Sequence, residues 1–168
     1  MKRIAKFEMV SREQFALGWV DCFNTGMGLY DAYEAIKLPR RATTGSAGYD
    51  FYAVKEIELA PGESVKMPTG VRVKIDEGWV LKIYPRSGLG FKFRLQLNNT
   101  VGIIDSDYYF SDNEGHIFIK ITNDSKEGKT VNIKKGDAFA QGIFVEYGIV
   151  IDDDVQDIRN GGFGSTSK

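Results

Sequence analysis

From residue 47 onward the chain is written in short apolar or alternating stretches: DFYAV, SVKMP, GVRVKI, WVLKIYP, FRLQL, IFIKITN, TVNI and AFAQGIFVEYGIV. PG, EG, SG, KEG and KKGD fall between them, and such pairs are turn signals. Val, Ile, Phe and Tyr dominate the stretches, as they do on pleated, half-buried surfaces. Many short strands with little helix between them indicate an all-β sandwich, jelly roll or barrel. No internal repeat stands out.

The first 46 residues are written differently. IAKFEMV (4–10) reads as a first strand and SREQFALGWVDCF as a short helix, with Ser11 and Gln14 spaced as a capping box. Phe15, Ala16, Trp19, Val20 and Phe23 share one helical face, which either packs on the body or docks a partner. NTGMG breaks the helix, and YDAYEAI reads as a second short one before Pro39.

With 168 residues the chain reads as one domain. Lys and Arg total 22, Asp and Glu 23, and the net charge is −1, which is no footprint for nonspecific nucleic-acid binding. One cysteine, Cys22, excludes an internal disulfide and a Cys-rich zinc site, and one histidine, His116, excludes serial histidine ligation. No apolar run is long enough to span a membrane and no signal-peptide core opens the chain, so a cytoplasmic protein is expected.

Five stretches break the strand pattern with small and polar residues. In SAGYDFYA (46–53), Asp50 is the one charge of a strand and Ala-Gly admits a neighbouring backbone; the alternative is a turn aspartate. In YPRSGLGFKF (84–93), a guanidinium, a hydroxyl and glycine amides follow an apolar strand, a set suited to phosphate oxygens or to a tight solvated turn. LNNTVGIIDSDYYF (97–110) is hairpin-like, with Asn99 near its start and Asp105, Asp107 and Tyr108 at its end; one carboxylate could serve as a general base for water. In KKGDAFAQGIF (134–144), Gln141 is the one polar side chain of an apolar run and needs partners. RNGGFGSTSK (159–168) is either an idle tail or a flap over an anion.

AGYDFYA, PRSGLG, VGIIDSDY, GDAFAQ and GGFGST, in this order, resemble the five motifs of the homotrimeric dUTPase family over residues 36–168. Residues 11–35 lie outside the resemblance and read as a helical insertion after the first strand. The resemblance implies a β jelly roll of the dUTPase (β-clip) type, residues 1–158, with residues 159–168 as a lid. It implies a threefold trimer with active sites shared between subunits, and hydrolysis of dUTP to dUMP and pyrophosphate with Mg²⁺. Such an activity keeps uracil out of DNA and supplies dUMP for dTMP synthesis.

Carried onto this chain, the resemblance assigns Asp105 the attacking water and Asp50 a link to the metal-bound waters, with no direct protein ligand to the ion. Tyr108 would lie flat on the deoxyribose. Asn99 and the hairpin backbone, including Gly102 and Ile104, would read uracil. Arg86, Ser87, Gly88 and Gln141 would cradle the triphosphate. Arg159, Ser165 and Thr166 would add donors from the lid, and Phe163, with Gly164 beside it, would stack on the base.

The chain departs from the pattern in four places. YFSDNEGH lengthens the loop after Tyr108, Ala138 replaces a frequent Arg, Asn160 alone separates Arg159 from GGFG, and Ser167 stands for a final Gly. Two other readings remain open: a dCTP deaminase relative, which would lack the Asp105–Tyr108 constellation, and a trimer with an added protein-binding role at residues 11–35.

Overall fold

The computed structural model describes residues 1–159. After β1 (Ala5–Met9) come α1 (Arg12–Phe23) and α2 (Leu29–Glu34), then β2 (Arg40–Arg41), β3 (Tyr49–Tyr52), β4 (Ile57–Leu59), β5 (Ser64–Pro68), β6 (Val71–Ile75) and β7 (Trp79–Pro85). A third helix, α3 (Ser87–Phe93), leads into β8 (Leu95–Leu97) and β9 (Gly102–Ile104). A 3-10 helix (Ser106–Phe110), β10 (Phe118–Asn123), β11 (Val131–Ile133) and β12 (Ala138–Glu146) follow. The fold is all-β, as the spacing of apolar stretches predicts.

Five strands form the largest sheet, in the order β2-β3-β12-β7-β9, and three form a second, β5-β10-β8. The ribbons β1-β6 and β11-β4 complete the body. Pairing is antiparallel throughout these ladders. Along β10 the even alternation of IFIKITN puts Ile119, Ile121 and Asn123 inside. Ile119 and Ile121 join Phe51, Leu81, Ile83 and Phe139 of the larger sheet in one continuous core, every one at most 2% exposed.

Residues 11–35 fold as two helices. Ser11 caps α1: its Oγ accepts from the Gln14 amide at 3.1 Å. The reciprocal half of the expected capping box does not form. The Ser11 amide donates instead to Glu114 Oε2 (2.8 Å) and the hydroxyl to Glu114 Oε1 (2.6 Å). A carboxylate at a helix N-terminus is a stronger acceptor than an amide side chain, and it also complements the helix dipole.

Phe15 and Trp19 are buried against the body, but Val20 is 48% exposed and does not belong to the buried stripe. Its expected place is taken by Gly18. A Cβ there would lie 2.8 Å from His116 Cε1 and 2.9 Å from Phe118 Cζ, so only glycine lets the helix rest on this imidazole. The aromatic stripe is therefore packing. Gly18→Val should overpack this contact and cost about 1–3 kcal/mol of stability, read as a lowered urea midpoint. An unchanged midpoint would contradict the packing.

His116 is fully buried between Phe15 and Phe118. Its Nε2 accepts from the Gly70 amide at 2.9 Å, so the neutral ring carries its proton on Nδ1, which has no partner among the described residues. Burial pushes its pKa down from 6.5 to about 4, against the pull of Glu114. The unfolded chain thus binds a proton, between about pH 6.5 and 4, that the folded one refuses. Stability is fully present above pH 6.5 and should fall by up to about 3 kcal/mol as pH drops to 4. Melts of the native chain and His116→Gln across this range check it. Parallel pH dependence in the two proteins would exclude His116 as the cause.

Candidate active site

Two clusters and one cleft gather the residues singled out in the sequence. The first cluster sits where β3, β7 and β12 end together. Asp50 and Gln141 are partners in the β3-β12 register, and Gln141 also faces Tyr84 of β7. The Asp50 carboxylate takes the Arg86 guanidinium at 2.5 Å. Gln141 Nε2 donates to the Pro85 carbonyl at 3.2 Å, which supplies the partner that a half-buried amide needs.

Gly48 makes room for that amide, since a Cβ there would sit 2.7 Å from Gln141 Oε1. Ser87 and Gly88 open α3 at the surface, and Arg86, its N-cap, makes no side-chain cap. The amides of a first helical turn have no intrahelical acceptor. PRSGLGFKF is a strand end followed by a helix rather than a tight turn.

The second cluster follows β9. Asp105 precedes the 3-10 helix and Asp107 and Tyr108 lie within it, so the two acids do not share a strand face as the one-residue spacing predicts. They nevertheless converge. Arg159 donates from Nη2 to Asp105 Oδ2 (2.6 Å) and from Nε to Asp107 Oδ1 (2.9 Å), with its guanidinium carbon 5.9 Å from the Tyr108 ring centre. Arg159 thus engages the carboxylates of its own chain, where the resemblance gives it to a phosphate.

Tyr108 is 5% exposed. Its hydroxyl donates to the His116 carbonyl at 2.7 Å and accepts from Asn113 Nδ2 at 2.9 Å. Burial raises its pKa, against the opposing pull of Asn113 and Arg159, so the phenol stays protonated as a donor at neutral pH. The next residue, Tyr109, is clamped in turn. Arg72 stacks 3.7 Å from its ring centre and donates to its carbonyl at 2.8 Å, and the Tyr109 hydroxyl donates to Glu8 at 2.5 Å.

The cleft lies between β8 and β9. The expected hairpin does not zip up: β8 pairs with β10 and β9 pairs with β7, in different sheets. The connection turns tightly through Thr100 at φ +66°, with Val101 N–H bonded to the Asn99 carbonyl at 2.7 Å. Splaying leaves a cavity of about 340 Å³ lined by Asn98, Asn99, Gly102, Ile104, Ile83 and Phe118, among others. That volume is at the small end of ligand sites, and the walls combine apolar side chains with a few amide groups, as such sites do. Asn99, Gly102 and Ile104, which the sequence singled out together, all line it.

The two clusters do not meet within one chain. Ile104 pairs with Leu81 at the start of β7, whereas Arg86 follows Pro85 at its end. Asp105 and Arg86 are therefore separated by about six residues of strand, or about 20 Å.

Phe163, Gly164, Ser165 and Thr166 lie outside the described residues, as do Asn160 and Ser167. Asn113, Glu114 and His116 carry no motif signal; Gly115 after Glu114 marks a turn but not its contacts. Among the described residues no group of three His, Cys, Asp or Glu side chains could hold a metal ion, and no helix is long and apolar enough to cross a membrane.

Comparison with known proteins gives this geometry a family. The dUTPase family profile matches residues 34–167. The deoxyuridine 5′-triphosphate nucleotidohydrolase of Lactococcus lactis is 43% identical over 134 residues, covering 78% of this chain and 88% of that protein. That of Shigella sonnei is 41% identical over 139 residues, covering 78% and 87%.

Among solved structures, the dUTPase of Streptococcus mutans aligns over 86% of this chain and 97% of its own, with a TM-score of 0.63 and 34% identity. The fold is also that of a dUTPase variant from phage phi11 of S. aureus, whose structure reveals the coordination of a structural Mg(II) ion (TM-score 0.64, 22% identity, 92% and 98% covered). The chain belongs to the dUTPase family of deoxyuridine 5′-triphosphate nucleotidohydrolases.

Proposed function

We propose that this chain hydrolyses dUTP to dUMP and pyrophosphate by in-line attack of a water held by Asp105 on the α-phosphorus. The observation that carries the reading is the opened cleft between β8 and β9. Strands that part into different sheets leave an open cleft along residues 98–104 in place of a β8-β9 ladder. A uracil edge would enter it, with Asn99 beside it.

Cytosine presents the reversed pattern at two positions and would strand buried groups, at about 1–3 kcal/mol each, or roughly ten- to a hundredfold in affinity. Thymine brings a methyl group that a cleft fitted to uracil has no space for. The Tyr108 face would bound the deoxyribose, and Asp105, next in sequence to Ile104, would stand at the sugar-phosphate end.

Arg86, Ser87, Gly88 and Gln141 would hold the phosphates, through charge-assisted bonds and helix amides. Because Arg86 and Asp105 lie at opposite ends of β7, one triphosphate cannot touch both in one chain. The site is therefore shared between copies, and a closed cyclic trimer satisfies all of them equally. In that assembly Arg159 would leave Asp105 and Asp107, freeing Asp105 to hold water, and would reach phosphate from the 159–168 segment, with Phe163, Ser165 and Thr166 closing over the nucleotide.

Mg²⁺ would arrive on the triphosphate and keep its waters, as this ion does at phosphate sites, with Asp50 reaching it through water. When bound, the ion supplies charge neutralisation of the departing pyrophosphate.

Hydrolysis in ¹⁸O-labelled water tests the reading. The label should enter dUMP and not pyrophosphate. Label in pyrophosphate would move the attack away from the α-phosphorus, and ammonia released from dCTP would favour a deaminase. Truncation after Ile158 should leave a folded protein with turnover reduced at least about a hundredfold, the scale of losing positioned donors to developing charge. Near-normal turnover would remove the terminal segment from the site.

A further inference from the structure

The lengthened loop after Tyr108 and the helical insertion are the parts of the chain that the nucleotide scheme leaves without a role, and they meet each other. Glu114 takes both hydrogen bonds of Ser11 at the start of α1. It does so at φ +59°, in the left-handed region that a non-glycine residue rarely adopts without compensation. His116 is buried beneath Gly18 of the same helix. Asn113 is held between these anchors. Its Oδ1 accepts from the Gly115 amide at 3.1 Å, its carbonyl accepts from the His116 amide at 3.0 Å, and its Nδ2 donates to the Tyr108 hydroxyl at 2.9 Å. That hydroxyl gives its own proton to the His116 carbonyl at 2.7 Å. One loop, pinned to the insertion at two points, therefore engages both the lone pair and the proton of this phenol.

We propose that Asn113 is a positioning residue for sugar discrimination, fixing the tilt of the Tyr108 ring so that deoxyribose fits against it and a 2′-hydroxyl does not. The inference rests on the reading of Tyr108 as the sugar contact. Two directed bonds fix the phenol oxygen, and with it the tilt of the ring toward the sugar. Released from Asn113, the oxygen loses one of these anchors and the ring can tilt. The ring remains present, so dUTP still binds, but the gap that excludes ribose is no longer fixed. The helical insertion then serves as a buttress for this wall.

The test is the ratio of kcat/KM for dUTP to that for UTP, measured with the full-length protein. Asn113→Ala should lower the ratio about two- to tenfold, the scale of one lost neutral hydrogen bond, chiefly by raising the rate with UTP. Asn113→Asp keeps the acceptor for the Gly115 amide and hence the turn, and it serves if the alanine variant fails to fold; it should lower the ratio as well. In a Tyr108→Phe background the Asn113 substitutions should change the ratio no further, because the group they act through is gone.

A ratio unchanged by either Asn113 variant, or both rates falling together, would overturn the proposal, and so would an undiminished effect in the Phe background. Tyr108→Ala separates the two levels. If it lowers the ratio while the Asn113 variants do not, only the positioning role fails. If it leaves the ratio untouched, Tyr108 is not the sugar wall and both readings fail.

Discussion

Asp105→Asn should reduce kcat for dUTP by about two to four orders of magnitude, the range a positioned general base contributes, while KM moves only a few-fold. Asparagine preserves size and the ability to hold a water, but it cannot take the proton as that water attacks. The substitution is also structurally mild. Asp105 makes no side-chain cap to the 3-10 helix it precedes, and 47% of its side chain is exposed. The thermal midpoint should stay close to that of the native chain, which separates lost chemistry from lost fold. A kcat within tenfold of native would show that another group activates the water. A large rise in KM with kcat kept would instead assign Asp105 to binding.

Co-expressing Arg86→Ala with Asp105→Asn should restore activity that neither variant has alone. The proposed shared site requires it: the two side chains leave opposite ends of β7, so under that reading a complete site would take one from each of two copies. In a randomly mixed cyclic trimer, half the subunits offer an intact Arg86 and half an intact Asp105. About a quarter of the sites would then be whole, and kcat per site should approach a quarter of native. If the mixture stays as inactive as its parents while mixed assemblies form, both residues serve the same chain's site, and the shared-site account is wrong.

What the sequence made legible follows from the range of the interactions concerned. The strands could be read because a side chain's alternation is local: Ile119 and Ile121 point inward whatever lies across from them. The Ser11 cap was legible for the same reason, and its bond to the Gln14 amide forms. The other half of that cap was not, because the Ser11 amide found Glu114, 103 positions away.

Gly18 was invisible as a contact residue. A missing side chain matters only once His116 and Phe118 are known to lie under it. The two glycines of PRSGLG disfavour a helix by propensity, yet α3 forms there. The stretch 97–110 looked like a hairpin by alternation, but strand pairing is decided by the sheets on either side, and those draw β8 and β9 apart.

The site divides along the same line. Asp50, Arg86 and Gln141 were singled out separately and prove to be one cluster, as do Asp105 and Tyr108. The meeting of Arg159 with both carboxylates needed the fold, since it joins residues 52 and 54 positions apart. Asn113, a loop amide, carries no sequence pattern; its meaning lies wholly in the phenol it reaches.

Selection of the base by the cleft between β8 and β9 is the step on which dUTP hydrolysis here turns. Pyrophosphate release from dUTP, dTTP and dCTP, measured side by side with the full-length protein, tests this directly. dUTP should be turned over at least about a hundredfold faster than either competitor, as expected from stranded polar groups or an unaccommodated methyl. Comparable release from dTTP or dCTP would mean that the cleft does not read uracil.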